Sequence, residues 1–386
     1  MEKIEILKLL GVPDSEERLD NLELLLRREP APATRPEHSN NHIHTTYSFS
    51  PYSPAAAIWF AREAGLPAAG IMDHDSIGGG EEFRRAGELA RVGTTCGVEF
   101  RITLAGTPFE HRKINNPDQS GVAYMALHSV REAYFSRVQE VFAGLREKRN
   151  LRNRKMTAKI NEIMSPFGIE INFDRDILPM SMYRDGGSVT ERHLLFALAD
   201  RIIQEVGESG VIQFLEDSLG LKLSARQRRW LEEADPLNFR YDLLGVLKSS
   251  LNPKIYIPAD DELMTIEQAT KLGEEVHGIL CYAYLGDVGD SPTGDKKAEA
   301  FEDGYLDELF EFLHEKGIRG VTFMPSRNTR AQLERLMAKC REFDMLQISG
   351  EDINQPRQSF ICRQLAEPEF SHLVSAAWML VERERV

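Results

Sequence analysis

Short apolar segments of this chain are each followed at once by side chains that commonly bind metal ions. These side chains are Asp73, His74, Asp75, Glu99, His128 and Asp352. Helix-like stretches separate most of the segments, and this alternation is typical of parallel strands with crossover helices. Because the carboxyl ends of barrel strands meet at one rim, we expect these groups to lie close together there.

A pair of histidines, His42 and His44, lies at the end of the first apolar segment. Side chains alternate along a strand with a period of two, so both imidazoles face the same side and can bind one ion. Two ligands alone hold a metal loosely. The pair therefore predicts a metal site whose remaining ligands come from the other segments. The alternative is a pair of polar residues bonded to backbone at a strand end.

Charge and composition restrict the function further. The chain has 386 residues and 42% hydrophobic composition, enough for two domains or one barrel with an insertion. Its 61 acidic and 47 basic residues give a net charge of -14, which repels phosphate backbones. Nucleic acid is therefore not the expected partner, whereas a small anion held by a local basic cluster is compatible with this charge.

The cysteines and the hydropathy pattern indicate a cytoplasmic protein that does not enter membranes. Cys96, Cys281, Cys340 and Cys362 lie far apart, which favours reduced thiols in a core. No apolar run approaches the roughly 20 residues that span a bilayer.

The chain divides into three parts by pattern. Residues 1–38 predict two short helices and a proline-rich linker, which would pack on the main body or on a second subunit. Residues 39–128 and 261–386 show the strand–helix rhythm of a barrel, with about seven strands. Residues 129–260 are helical and too long for one loop, so we expect an inserted helical domain.

Four motifs resemble those of the PHP (polymerase and histidinol phosphatase) family. They are His42-Ile43-His44 with the following Thr45-Thr46-Tyr47-Ser48, Met72-Asp73-His74-Asp75, Gly97-Val98-Glu99 and Gly350-Glu351-Asp352. The resemblance covers roughly residues 39–128 and 262–356. The helical insertion looks like that of PHP phosphoesterases that act on small nucleotides. The implied fold is α/β, a distorted seven-stranded (β/α) barrel with a helical insertion.

The resemblance also implies a metal-dependent chemistry. A first ion would be held by His42, His44, Glu99 and Asp352. A second ion would share Glu99 and bind His128, and zinc, manganese and iron all suit such ligands. The expected reaction is hydrolysis of a phosphate ester by a metal-activated water, with Asp73 or His74 passing a proton to the leaving oxygen. Asp73, His74 and Asp75 could alternatively cap the next helix.

The sequence departs from the family pattern in three places. Tyr284 stands near the position where relatives have a histidine, and Asn354 replaces a common terminal histidine. Phe49 or Ser50 occupies a position that often carries aspartate or histidine. These departures leave the second ligand set incomplete. They favour an alternative function, a non-catalytic or regulatory barrel that binds a metal or another ligand.

Substrate contacts are expected from the insertion and from late loops. The run between residues 146 and 159 is basic, and we expect most of it to be a solvated helix face with Arg154 turned toward the rim. A capping box at 188–191 places His193 in the first turn of a helix, whose positive end favours an anion. Arg327 follows the sixth strand, and we expect it either to contact the substrate or simply to lie at the start of the next helix. Tyr284 and Asn354 complete the predicted substrate-binding set.

The sequence thus predicts a metal-dependent hydrolase that cleaves a phosphomonoester or phosphodiester of a small molecule such as a nucleotide. A nuclease or polymerase-associated module is disfavoured by the acidic charge and by the absence of a nucleic-acid-binding motif. The oligomeric state is left open.

Overall fold

The protein folds into a nearly closed barrel of mixed strands surrounded by helices. The computed structural model describes residues 1–287 and 299–385. The strands are β1 (Asn40–Ile43), β2 (Ala68–His74), β3 (Gly93–Thr103), β4 (Val122–His128), β5 (Met264–Thr265), β6 (Ile279–Ala283), β7 (Gly320–Phe323) and β8 (Leu346–Ser349). Seven of them follow the order β1-β2-β3-β4-β6-β7-β8, while the short β5 pairs with β3. The expected distorted seven-stranded barrel is confirmed.

The barrel closes between β1 and the segment that follows β8. The backbone N–H of His44 donates to the carbonyl of Ile353 at 3.0 Å, and the Ile353 N–H donates to the carbonyl of His42 at 3.2 Å. Asn41 adds a side-chain hydrogen bond to the carbonyl of Ser349 at 2.9 Å. This closure brings Asp352 beside the two histidines that lie three hundred residues earlier in the chain.

One strand runs against the others. β4 is antiparallel to both β3 and β6, whereas the remaining pairs are parallel. The expectation that His128 emerges at the common carboxyl rim is therefore wrong. His128 pairs with Ile279, the first residue of β6, and so lies below the rim.

The third strand is longer than its apolar segment. The pattern predicts a strand over 94–98, but β3 extends through Thr103. Glu99 therefore lies within the strand, opposite His74 of β2 and Ala126 of β4. The extended part of β3 includes the charged residue Arg101. Its guanidinium is buried but is neutralised by an ion pair with Glu262.

Thirteen α-helices are formed by the described residues. They are α1 (Lys3–Leu9), α2 (Ser15–Arg28), α3 (Pro54–Glu63), α4 (Gly80–Ala90), α5 (Phe135–Met164), α6 (Glu191–Val206), α7 (Val211–Gln213, continued by a π-helical turn Phe214–Ser218), α8 (Ala225–Glu233), α9 (Phe239–Ile255), α10 (Ile266–Glu275), α11 (Leu306–Glu315), α12 (Arg330–Glu342) and α13 (Ser371–Arg385). Ser53 caps α3 by accepting from Ala56 N–H, and Pro54 occupies the first helical position. α9 continues through Pro253 to Ile255.

The buried apolar side chains form two large clusters. One contains the barrel, its surrounding helices and residues of α1 and α2 such as Leu10 and Leu22. The other contains the helices between residues 156 and 255, and Phe49 of the barrel projects into it. A buried ion pair between Arg18 and Glu82 also joins α2 to α4.

All four cysteines are buried and free. Within the described ranges, no helix combines the length and apolar character needed to cross a membrane.

Candidate metal centre

Glu99 lies at the centre of a group of imidazoles at the carboxyl end of the barrel. Its Oε1 is 3.7 Å from His42 Nε2, and its Oε2 is 3.8 Å from His44 Nε2 and 3.0 Å from His74 Nδ1. The rings of His44 and His74 stack with centroids 4.6 Å apart. One carboxylate thus faces three imidazoles: His42 from β1, His44 from the residue after β1, and His74 from the end of β2.

Asp352 completes this group from the closing segment of the barrel. Its Oδ1 lies 3.2 Å from His44 Nε2 and accepts a hydrogen bond of 2.5 Å from Asn354 Nδ2. Ligand atoms of His42, His44 and Asp352 all lie within 4.8 Å of one another, and so do those of His44, His74 and Glu99. We name these five residues the imidazole cluster. The four side chains proposed for the first ion are therefore brought together, and His74 joins them.

His128 lies deeper in the barrel, close enough to His42 and Glu99 for their charges to affect it. It is buried, and neither ring nitrogen has a hydrogen-bond partner among the described residues. Burial and the neighbouring His42 lower the pKa of His128 to about 3, against the opposing effect of Glu99. A neutral buried imidazole without a partner is uncommon, because buried polar groups are normally satisfied.

Charges in the imidazole cluster favour ionised carboxylates. Burial raises the pKa of Glu99 and of Asp352, but the surrounding imidazoles outweigh it and hold both pKa values below the usual range. Burial lowers the pKa of His42, yet Glu99 and then Asp352 outweigh it and raise that pKa above its ordinary 6.5. The site thus concentrates negative charge beside nitrogen donors.

These features fit a divalent metal ion. Imidazole nitrogens and carboxylate oxygens are the ligands that zinc, manganese and iron share. The unpartnered nitrogens of His128 would gain a partner, and the carboxylates would gain a cation. The donor set present therefore suits the one or two ions implied by the sequence.

Asp73 does not face this centre. Its Oδ1 accepts from Thr45 N–H at 2.7 Å and from Ser48 Oγ at 2.6 Å, and its Oδ2 accepts from Thr45 Oγ1 at 2.5 Å. Side chains alternate along β2, so Asp73 and His74 point to opposite faces. Of these two residues, His74 lines the cavity beside the imidazole cluster and Asp73 does not. The predicted proton-transfer role for Asp73 has no geometric support, and the carboxylate instead fastens the loop after β1.

A cavity of about 470 Å³ opens from the imidazole cluster toward the insertion. Its lining includes His42, His74, Glu99 and Asp352 on the barrel side, and Arg149, Thr190, Glu191, Arg192, Trp230 and Lys248 on the insertion side. The two parts of the chain therefore share one concave site, the usual form of a small-molecule site.

Arginines and carboxylates alternate along the junction between barrel and insertion. Arg149 pairs with Asp75 at 2.5 Å and with Glu191 at 2.8 Å. Arg152 also pairs with Glu191, and it pairs with Glu262 at 2.9 Å. Arg101 pairs with Glu262 as well and completes the series of ion pairs. We name this series the arginine network. It fixes Arg149 at the cavity wall.

Arg154 and His193 are not among the residues that line the cavity. Arg154 is exposed, pairs with Asp174 at 2.5 Å and lies over the Phe173 ring. His193 is buried against Phe49, and its Nδ1 accepts from the Thr190 N–H at 3.0 Å as part of the helix cap. The side chains that do reach the cavity are Arg149 and Arg192, each only a few positions away.

The helical phase of α5 contains the signal that distinguishes Arg149 from Arg154. At about 100° per residue, Arg149 lies only about 20° from the buried Met156, whereas Arg154 lies about 160° from it. Met156 belongs to the core of the insertion. Counting the phase from this apolar residue would have selected Arg149.

The other three predicted substrate contacts, Arg327, Asn354 and Tyr284, all line the cavity. Asn354 is engaged with Asp352, as described above. The Tyr284 hydroxyl donates to Asp303 Oδ1 at 2.6 Å, which turns it away from the imidazole cluster. Tyr284 therefore forms wall rather than a metal ligand.

Two solved structures with a similar fold are described as a phosphoesterase and an amidohydrolase. One is a protein from Bifidobacterium adolescentis, provisionally described as a metal-dependent phosphoesterase, with a TM-score of 0.58 and 18% identity over 90% of this chain and 98% of that chain. Another is an amidohydrolase from Chromobacterium violaceum with bound sulfate and no metal, with a TM-score of 0.56 and 16% identity over 88% of this chain and 96% of that one.

No protein-family model matches the chain, and no curated protein is similar to it in sequence. At these identities the structural likeness supports the fold alone.

Proposed function

We propose that this protein is a metal-dependent hydrolase that cleaves a phosphate ester of a small molecule. The proposal depends on one observation: three imidazoles and two carboxylates from distant segments converge at the carboxyl end of the barrel. Barrel enzymes have their catalytic groups at this end. The names of both similar structures, a phosphoesterase and an amidohydrolase, agree with a hydrolase.

Four members of the imidazole cluster would hold the ions, with His128 as a further ligand from below: His42, His44, Glu99 and Asp352. A divalent ion bound there lowers the pKa of a water molecule and stabilises negative charge on the group under attack. The ion pairs described for Glu99 are with histidines, and Arg192 lies near Asp352, so much of the negative charge of the two carboxylates is left to neutralise a metal ion. The enclosed position of the cluster keeps bulk water from screening these charges.

His74 is the residue proposed to exchange a proton with the leaving group. Its Nδ1 contacts Glu99, which leaves Nε2 for the cavity. Burial lowers the pKa of His74 despite the opposing effect of Glu99, and His44 and Arg149 lower it further. A lowered pKa makes the imidazolium a stronger acid.

Phosphate is favoured over an amide as the reacting group by the cations beside the cluster. Arg149 is held by two carboxylates, and Arg192 projects from the first turn of α6 near Asp352. The positive end of α6 also faces the cavity through Thr190 and Glu191. The sulfate bound to the similar amidohydrolase is a tetrahedral anion of the same kind.

The test is metal analysis followed by a screen of phosphomonoesters, phosphodiesters and amides with the wild type and the His42→Ala variant. We expect bound divalent metal, hydrolysis of a phosphate ester and loss of both in the variant. His38→Ala is the matched control, since His38 is a buried histidine of the same segment whose Nε2 faces Glu37 instead. Undiminished hydrolysis by His42→Ala would contradict the proposal, and cleavage of amides alone would change its substrate class.

A non-catalytic metal-binding or ligand-binding barrel is the second candidate. The observation that favours it is the position of Tyr284, which is bonded to Asp303 and supplies no ligand where relatives have a histidine. This candidate predicts stoichiometric metal and ligand binding without turnover. The same screen separates the two, because only the first candidate predicts product formation.

A further inference from the structure

A buried chain of hydrogen bonds connects Asp73 to His44 through Ser48. The Ser48 hydroxyl donates to Asp73 Oδ1 at 2.6 Å and lies 3.3 Å from His44 Nδ1. The three side chains are each at most 2% exposed. The two contacts of Ser48 therefore lie in the protein interior.

Counting protons along this chain fixes the state of the histidine. An ionised carboxylate only accepts hydrogen bonds, and a serine hydroxyl has one proton to donate. Ser48 gives that proton to Asp73, so its oxygen has only lone pairs left for His44. The His44 Nδ1 must therefore carry the proton that is shared with Ser48, so that in the neutral imidazole the Nε2 presents a lone pair.

The Nε2 atom of His44 is surrounded by carboxylate oxygens. It faces Asp352 Oδ1 at 3.2 Å and Glu99 Oε2 at 3.8 Å, both of which are acceptors. Three lone-pair donors that converge at such distances repel one another unless a cation lies between them. The hydrogen-bond chain thus makes His44 Nε2 a metal ligand rather than a hydrogen-bond donor.

We propose that Ser48 and Asp73 are positioning residues that fix His44 as the Nδ1–H tautomer and so present Nε2 to a divalent ion. This inference rests on the proposed metal-dependent function. It also replaces the proton-transfer role expected for Asp73 with a role through another residue. Partners of this kind orient a ligating histidine and raise its basicity.

The contact of Ser48 with His44 is separable from its support of the loop. Thr45 independently fastens the loop to Asp73 through both its backbone N–H and its hydroxyl. Removing the Ser48 hydroxyl therefore leaves two of the three bonds to Asp73 in place. The main change is at His44 Nδ1.

The first test compares Mn²⁺ affinity in Ser48→Ala and Ser76→Ala by titration of the full-length protein. Ser76 is also fully buried and donates one hydrogen bond, to the Gly186 carbonyl at 2.7 Å, without contacting the imidazole cluster. We expect Mn²⁺ to bind about 10- to 100-fold more weakly to Ser48→Ala. Ser76→Ala should bind like the wild type, and Ser48→Thr, which keeps a hydroxyl, should restore most of the affinity. Equal affinities in the two alanine variants would overturn the proposal.

The second test reads the tautomer by NMR of ¹⁵N-histidine-labelled, Zn²⁺-loaded protein. We expect a slowly exchanging Nδ1–H proton on His44 and a metal-bound Nε2, with the proton signal lost in Ser48→Ala. Metal bound through Nδ1 would overturn the proposal even if Ser48→Ala does not fold. If the wild type binds neither Mn²⁺ nor Zn²⁺, the proposed function fails, and the metal-free spectrum then decides the tautomer by itself.

Discussion

Two charged clusters line the same cavity and neutralise their carboxylates in different ways. In the arginine network, Glu191 and Glu262 each contact two guanidinium groups, which are permanently charged. In the imidazole cluster, the ion pairs of Glu99 are all with histidines, which are charged only when protonated. Both clusters are largely buried, so burial alone does not separate them.

The difference indicates which cluster is structural and which is prepared for a ligand. Arginine supplies a fixed charge, so the network is complete without any other partner. Histidine supplies a lone pair once it has lost its proton, so the imidazole cluster gains a cation only from outside. A buried group of carboxylates whose partners can lose their charge is therefore the better indication of a metal site.

The largest effect is expected from breaking the arginine network. Glu191→Ala would leave Arg149 and Arg152 without a shared carboxylate, and the uncompensated charge should lower the free energy of unfolding by about 3 kcal/mol. Urea unfolding measures this change. Asp174→Ala, which breaks the exposed pair with Arg154, is the control and should cost much less, because solvent screens that pair. Equal losses would show that burial of the network contributes nothing.

Glu99→Gln tests the opposite cluster. The amide keeps the shape of the side chain but removes the charge that neutralises a cation, so divalent metal should bind more than about 100-fold more weakly, a larger loss than an outer partner causes. Chelator competition measures the affinity. Glu37→Gln, at a carboxylate paired with His38 outside the cluster, should leave it unchanged. Retained affinity would remove the distinction drawn between the clusters.

Glu384, a half-buried carboxylate of α13, has neither an arginine nor a histidine as a partner among the described residues. It accepts from Cys96 N–H at 2.9 Å and from the Thr95 hydroxyl, and burial raises its pKa to about 8, against the opposing hydrogen bonds. Its folded-state pKa thus exceeds the ordinary 4.5. The contribution to stability is complete below pH 4.5 and is lost as the pH rises through 8.

Glu384→Gln should remove this loss of stability between pH 4.5 and 8, because the amide does not titrate. Unfolding at a series of pH values measures it. Glu382→Gln, an exposed neighbour on α13, is the control and should retain the wild-type slope. An unchanged slope in Glu384→Gln would mean that neutral donors suffice to keep this carboxylate ionised.

The smallest effect is expected where the arginine network reaches the cavity. Arg149→Lys keeps the charge but not the fixed fork that contacts Asp75 and Glu191, so KM for the proposed phosphate-ester substrate should rise about tenfold. Metal affinity should stay the same. Arg154→Lys, on the outer face of α5, should change neither quantity. A larger KM effect at Arg154 would restore the original expectation for that residue.

Periodicity along the sequence placed candidate ligands at strand ends, which are local features, and the structure brings these side chains together in the imidazole cluster. His42 and His44 share a face by the period of two, and Glu99 and Asp352 follow apolar runs. The same reasoning misplaced Asp73, since three neighbouring titratable residues cannot all face one side of a strand. It also misplaced His128, because nothing in the local pattern reports the direction in which β4 runs.

The sequence by itself determined the alternation of strands and helices, the helical character of the stretch between β4 and β5, and the chemistry available at the strand ends. Only the tertiary structure decided which charges meet: Asp352 with His44 through barrel closure, Arg149 rather than Arg154 with Glu191, and Ser48 with both Asp73 and His44. Backbone periodicity is set by neighbours along the chain, so a sequence reveals it directly. Pairing of buried charges is set by packing between segments that lie hundreds of residues apart, and its energy depends on a burial that exists only after folding.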